Sequence, residues 1–447
     1  MADASSSIIA PGAPAARPGL RAWIVLAILC FVYVLNFLDR QLLGILAKPI
    51  QDELGVTDGQ LGLLTGFYFA LFYCFLAIPV GWLADRTNRT RVLAVACGLW
   101  SAATAACGMA TSYPQLALAR MAVGVGEAGG VPPSYAIISD YFPPGSRGTA
   151  LSLFNMGPPI GMALGVAFGA SIASTYSWRF AFIWVGVIGV ITAVIIWFFV
   201  REPKKGGLDV APAEAAVPQA EPAAAQPRPG FWATCKMFFT DPVLLRCALA
   251  CAATQFITYA LLGFAVLFLM REKGMTLEDV AVWYALVVLF GASAGMLVSG
   301  RLVDLFARRW KSAYGYVPAI GLALAAPLFI GFIWAPSWQL ALMFLLLPMG
   351  LNYFYLSPAV TLVQEEVRPD QRVLAGALLL LVMNMVGLGF GPTYLGFASD
   401  FFARTNPDNS LQLAFYTLTP FYLLAIGLFL WLARALRQQS QSKEVAA

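Results

Sequence analysis

The chain has 447 residues, 60% of them hydrophobic and 11% charged, with a net charge of +5. A soluble protein of this size carries about 25% charged residues. Apolar stretches long enough to cross a bilayer recur along the whole length, so the composition excludes a soluble globular protein and predicts a polytopic helical membrane protein. The small net charge predicts no nucleic-acid partner. In such a chain the placement of the charges across the bilayer matters more than their sum.

Histidine is absent, which removes the commonest metal ligand and the usual proton relay. Any proton chemistry then falls to carboxylates. Of the seven cysteines (Cys30, Cys74, Cys97, Cys107, Cys235, Cys247, Cys251), six lie in apolar stretches and none forms a CxxC pair, so they read as small hydrophobes. With no metal cluster and no nucleophile–base pair, neither a cofactor nor an enzyme activity is expected.

In chain order, residues 1–19 form a Pro/Ala-rich tail without the charged-then-apolar pattern of a signal peptide. Residues 20–200 hold six predicted spans, at roughly 20–47, 59–84, 91–111, 115–140, 147–174 and 178–200. Residues 201–240 form a linker rich in Pro, Ala and charge, ending in "FWATCKMFF" (Phe231 to Phe239), which reads as a short interfacial helix. Residues 241–437 hold six more spans, at roughly 243–270, 277–305, 315–334, 338–364, 371–400 and 411–435, and residues 438–447 are a short tail. The fold class is therefore all-α, twelve transmembrane helices in two six-helix bundles. Lys and Arg number 21 on the side of the termini and 5 on the other, which predicts cytoplasmic N- and C-termini in the inner (plasma) membrane.

The halves repeat. "GWLADRTNRTR" after the second span is answered by "GRLVDLFARR" after the eighth, with Asp85 opposite Asp304. Pro133, Asp140, Pro144 and Arg147 are echoed by Pro358, Glu365, Pro369 and Arg372, all at an offset of 225. Duplicated six-span units are typical of secondary transporters, whose substrate binds between the repeats. The six-plus-six pattern, the central linker and "GWLADRTNRTR" resemble the major facilitator superfamily over nearly the whole chain. Within it, "NFLDRQ" on the first span and "ARMAVGVGEAGG" on the fourth resemble the Spinster branch, bacterial type. That resemblance implies alternating access, a cavity lined by the first, fourth, seventh and tenth spans, and an amphiphilic substrate such as a lysophospholipid or sphingoid phosphate.

Four ionisable groups lie inside spans: Asp39 and Arg40 on the first, Arg120 and Glu127 on the fourth. Intramembrane charges are costly and functional by default. Arg120 and Glu127 are two turns apart on one helix face. A guanidinium binds phosphate or carboxylate bidentately, so Arg40 and Arg120, with Asp39 orienting one of them, are expected at the substrate head group. Glu127, less close to an arginine in sequence than Asp39, is the first candidate proton carrier, and Asp39 the second. The seventh and tenth spans offer no charge but Tyr259, Asn352 and Tyr355, predicting a cavity charged on one wall and apolar on the other. The bland alternative is that the charges neutralise one another as Asp39–Arg40 and Arg120–Glu127, and that the tyrosines and Asn352 only pack.

The resemblance implies a gate at the end of the second span. Gly81 would admit a close approach, Asp85 would meet a helix N-terminus, and Arg86 would engage Asp140, with Asp304 in the matching place. Gly157, Gly161, Gly165 and Gly169 on the fifth span, and Gly291, Gly295 and Ser299 on the eighth, recur every four residues. Small residues at this spacing let helices pack closely in lipid, so these two spans are expected to meet across the halves. "GPPIGM" also resembles the Gly-Pro motif of proton-coupled antiporters, with Met162 in place of its last glycine.

The leading expectation is a monomeric, proton-coupled transporter of an amphiphilic anion within the lipid bilayer. Transport of small organic anions such as sugar acids, or of hydrophobic drugs, is the alternative. A sensor that binds without translocating is disfavoured by the lack of a sizeable soluble domain.

Overall fold

The computed structural model describes residues 18–143, 146–204, 231–307, 309–368 and 371–446. Most of the expected tail and linker lie outside the described residues, as do the side chains of Asp85 and Asp304. Helix is the regular structure throughout, with no strand among the described residues. Among the described residues eleven helices are long and apolar enough to cross a membrane. In the first half they are the first span, Leu20–Ile45, the second, Asp58–Ala84, the third, Arg89–Met109, the fifth, Arg147–Thr175, and the sixth, Trp178–Phe199. In the second half they are the seventh, Pro242–Arg271, the eighth, Leu277–Ala307, the ninth, Ala313–Trp334, the tenth, Trp338–Glu366, the eleventh, Leu374–Ala403, and the twelfth, Pro407–Gln441.

The fourth span completes the set in two pieces, Tyr113–Glu127 and Val131–Tyr141. Gly129 and Gly130 weaken the helix between them, and Pro132 and Pro133 supply no amide hydrogens to continue it.

The ends of the spans are set by local chemistry. Thr57 and Gln60 form a capping box at the start of the second span. Asn88 accepts from Arg91 N at the start of the third, and Asp241 accepts from Val243 N and Leu244 N at the start of the seventh. A short helix, Phe231–Thr240, precedes Asp241. It exposes Phe231, Trp232 and Phe239 and buries Thr234, whose hydroxyl accepts from Gln371 Nε2 at 3.1 Å.

The glycine stripes pack, but not on each other. A Cβ at Gly161 would stand 2.4 Å from Val34 O, and one at Gly165 2.8 Å from Leu38 O, so the fifth span rides on the first; Gly157 faces Tyr33 there as well. Gly291 and Gly295 face Met349 and Gly350 of the tenth span. Each stripe serves closest approach inside its own bundle. The fifth and eighth spans meet across the halves, as expected.

Bonds between the halves gather at the end of the bundle opposite the termini, here called the distal end. There Arg271 Nη2 and Nη1 lie 2.6 and 3.1 Å from the two oxygens of Asp58, and Ser399 Oγ donates to Asp58 Oδ2 at 2.6 Å. The Asp400 carboxylate accepts from Asp58 N and Gly59 N at 3.0 and 2.9 Å, an anion seated on the N-terminus of the second span. Further in, the second and eleventh spans each carry a π-helical turn, Leu63–Phe67 and Asn384–Phe390. The two turns face each other, with a Cβ at Gly66 only 2.6 Å from Gly389 O.

Candidate functional site

The four intramembrane charges come together, in crossed pairs. Arg40 Nε donates to Glu127 Oε2 at 2.7 Å, and Arg120 Nη1 lies 3.3 Å from Asp39 Oδ2. The neighbours in sequence do not pair. Adjacent residues point about 100° apart around a helix, which sends Asp39 to Arg120 and Arg40 to Glu127. The reason given for preferring Glu127 over Asp39, its distance from any arginine, is therefore corrected: an arginine holds it directly. Glu127 is fully buried, and the side chains of Asp39 and Arg120 are 1 and 2% exposed.

Aromatic rings complete the surroundings. The Arg40 guanidinium carbon lies 4.9, 5.0 and 4.7 Å from the ring centres of Phe37, Phe69 and Tyr73, and that of Arg120 lies 5.0 Å from Phe69. Phe69 thus stands between the two cations, where its ring face stabilises both. Neither arginine is fully used: Arg40 Nη2 and Arg120 Nε have no hydrogen-bond partner among the described residues, and neither have Glu127 Oε1 and Asp39 Oδ1. Buried polar atoms left unpaired are expensive, which marks them as places for water or ligand.

Both arginines line a small cavity between the halves. Arg40, Gln41, Thr65 and Arg120 give the polar wall; Tyr259, Leu262, Leu388 and Pro392 give the facing wall from the seventh and eleventh spans. It offers about 30 Å³ to the centre of a water-sized sphere, room for one or two waters by the rough volume a water needs.

Of the expected second-half residues, Tyr259 reaches this cavity. Tyr355 donates instead to Gln255 Oε1 at 3.2 Å, and Gln255 Nε2 donates on to Asn384 Oδ1 at 2.8 Å. Asn352 is taken up by Tyr422, through reciprocal bonds of 3.0 and 3.2 Å. These two tie helices of the second bundle together and do not line the cavity with the arginines.

The expected gate is also revised. Arg89, not Arg86, holds Asp140, at 2.7 Å, and its Nε donates to Glu202 at 2.7 Å. Arg86 lies over the Trp82 ring, 4.3 Å from its centre. The turn at Thr87–Asn88 reverses the chain, so Arg86 at the end of one span and Arg89 at the start of the next point differently. A Cβ at Gly81 would meet nothing within 4 Å among the described residues, so no helix approaches it. Asp85 and Asp304 carry no description of their side chains.

Sequence reasoning missed Phe69, Arg89, Glu202 and the distal group of Asp58, Arg271, Ser399 and Asp400. A signal for the last existed in the acid of a span's first turn (Asp58) and the base of another's last turn (Arg271).

Residues 29–392 match the Major Facilitator Superfamily model. The chain belongs to that superfamily. It is a multi-pass membrane transporter, not an enzyme. It is 30% identical over 421 residues to an MFS-type efflux pump of Mycolicibacterium smegmatis, with 93% of each chain covered. It is 26% identical over 383 residues to the hexuronate transporter of Bacillus subtilis, covering 84% of this chain and 87% of that one. In structure it is similar to a bacterial homolog of the human lysosomal transporter Spinster in an inward-facing, unoccupied conformation. There the TM-score is 0.84, the identity 28%, and the coverage 94% of this chain and 98% of the other.

Proposed function

We propose that this transporter moves an amphiphilic anion, of the lysophospholipid or sphingoid phosphate kind, coupled to protonation of Glu127. The observation that carries the reading is the pair of guanidinium groups with unpartnered N–H on the polar wall of a cavity whose facing wall is largely apolar. An anionic head satisfies those donors, and the facing wall of Tyr259, Leu262 and Leu388 accepts the first carbons of a tail. Glu127 competes with the anion for Arg40. Protonating Glu127 breaks the charge pair and frees Nε for the substrate, while Asp39 keeps Arg120 oriented. In this reading the distal bonds hold one of the two alternating states, closed on the far side and open towards the cytoplasmic termini. Gly81, Asp85 and Arg86 then make their close contacts in the opposite state. The similarity to an inward-facing relative supports this, and the excess of Lys and Arg on the side of the termini supports an inner-membrane protein with both ends cytoplasmic.

A second reading is favoured by the small volume of the cavity and by the hexuronate-transporting relative: a sugar acid, whose carboxylate suits two arginines and whose hydroxyls suit Gln41, Thr65 and Tyr259. Uptake into proteoliposomes separates the two. Labelled lysophospholipid and labelled hexuronate are offered with and without an inward proton gradient, to wild type and to Glu127→Gln. Gradient-driven lipid uptake lost in the variant supports the first reading. Hexuronate uptake with no lipid uptake replaces it with the second.

A further inference from the structure

The break in the fourth span has a twin. The tenth span also divides, into Trp338–Leu351 and Leu356–Glu366. The positions correspond at the repeat offset of 225. Val131 and Leu356 restart the helices, and Glu127 corresponds to Asn352. The backbone repeats too: Gly129 N donates to Gly126 O at 3.1 Å, and its counterpart Phe354 N donates to Leu351 O at 3.1 Å. Such tight turns within a helix mark hinges. At matching positions of the two breaks a buried side chain is tied to another helix, Glu127 to Arg40 of the first span and Asn352 to Tyr422 of the twelfth; the second break is also tied through Tyr353 to Met162 of the fifth span and through Tyr355 to Gln255 of the seventh. Tyr422 is itself held by Phe329, the ring centres 5.1 Å apart.

The surroundings differ in charge. Glu127 is faced by Arg40 and Asp39 from the first span and by Arg120 from its own, while Tyr73 and Tyr259 face Arg40 from the second and seventh. Asn352 meets the phenol of Tyr422, and the neighbouring Tyr353 and Tyr355 face the phenols of Tyr259 and Tyr284, the amide of Gln255 and the thiol of Cys251. None of these groups is a carboxylate or guanidinium, although Tyr259 also faces Arg40. We infer that the transporter turns on two matched hinges of which one carries a charge lock and the other a neutral lock. Asn352 and Tyr422 are positioning residues that set the bias of the second hinge independently of pH, while Glu127 alone makes the first respond to it. The pH half of this inference rests on the proposed protonation of Glu127; the hinge half does not.

The test is a distance measurement between spin labels at Tyr176 and Thr405. Both are exposed at the distal end, on opposite halves. The labels are placed in the full chain with its seven cysteines replaced. The protein is held in lipid nanodiscs and measured in acidic and in alkaline buffer. Tyr422→Phe keeps the ring and removes the bonds to Asn352. It should shift the ratio of distal-closed to distal-open molecules about three-fold towards open, the effect of one ordinary intramembrane hydrogen bond. The shift should be equal in both buffers, and the midpoint of any pH response unchanged. Asn352→Asp should create a pH response that survives Glu127→Gln. An unchanged ratio in Tyr422→Phe, or a moved midpoint, overturns the inference; should Asn352→Asp not fold, Tyr422→Phe alone decides. A wild type indifferent to pH would refute the protonation of Glu127 instead, and the Tyr422→Phe ratio would still judge the second hinge.

Discussion

The seam between the second and eleventh spans offers a direct test of how the halves move. A methyl group at Gly66 would stand 2.6 Å from Gly389 O and 3.0 Å from both Leu388 O and Thr393 Oγ1. Two of these atoms are backbone and cannot turn aside. Ordinary contact begins at 3.4 Å, so the two π-helical turns must part by about 0.8 Å, the difference between 3.4 and 2.6. Overpacking of this kind costs about 1–3 kcal/mol. The two spans belong to different halves, so the strain is relieved whenever the distal end opens. Gly66→Ala should therefore move the equilibrium away from the distal-closed state by about 5- to 150-fold. Spin-label distances between Tyr176 and Thr405 in nanodiscs report the two populations. Gly427→Ala, on an exposed face of the twelfth span with open space at its Cβ, serves as the control, with no change of populations expected. If Gly66→Ala lowers the melting temperature but leaves the populations alone, the seam does not part as a unit and the reasoning fails.

Other changes separate stability from switching. Gly295→Ala would place a methyl 2.1 Å from Gly350 O inside one bundle, where no rocking relieves it. It should cost at least about 1–3 kcal/mol of stability, seen as a lower melting temperature with unchanged state populations. Arg271→Ala leaves the buried Asp58 carboxylate with Ser399 and Gln51 only. It should disfavour the distal-closed state by about 1–3 kcal/mol, below the cost of breaking a fully buried pair, read by the same distances. At the distal surface, hydrogen bonds from Arg179 and Trp178 hold the Glu53 carboxyl below its usual range. A depressed pKa stabilises the fold at neutral pH, and this contribution is lost as the pH falls through the lowered value. Glu53→Gln should therefore flatten the acid limb of a plot of melting temperature against pH.

How far the sequence reaches depends on the kind of force. The spans are legible because burial in lipid demands long apolar runs, and the repeat is legible because it copies residues at a fixed offset. The four buried charges stand out because their cost demands a reason. Their pairing is not legible, since it depends on which way each helix is turned. Asp39 and Arg40 are adjacent in sequence yet find partners 81 and 87 residues away. The glycine pitch shows that a close neighbour exists, but not which helix supplies it. Arg86 and Arg89 differ only in lying before and after a turn, and that turn decides which of them meets Asp140.

The crossed pairs carry one last consequence for the proposed transport. The cluster holds two guanidinium groups and two carboxylates, so it is neutral as it stands. In a medium of low dielectric, an unbalanced charge is far more expensive than in water. Seating one anionic group on Arg40 and Arg120 adds a negative charge that no other described group in the cavity offsets. One proton on Glu127 restores neutrality and at the same time releases the Arg40 contact that the anion needs. Binding of the anion and of the proton should then reinforce each other, with one proton taken up for a singly charged head. Proton uptake on substrate addition, followed with a pH dye in weakly buffered detergent solution, measures that ratio. A ratio of zero, or one unchanged by Glu127→Gln, would show that the anion is neutralised elsewhere.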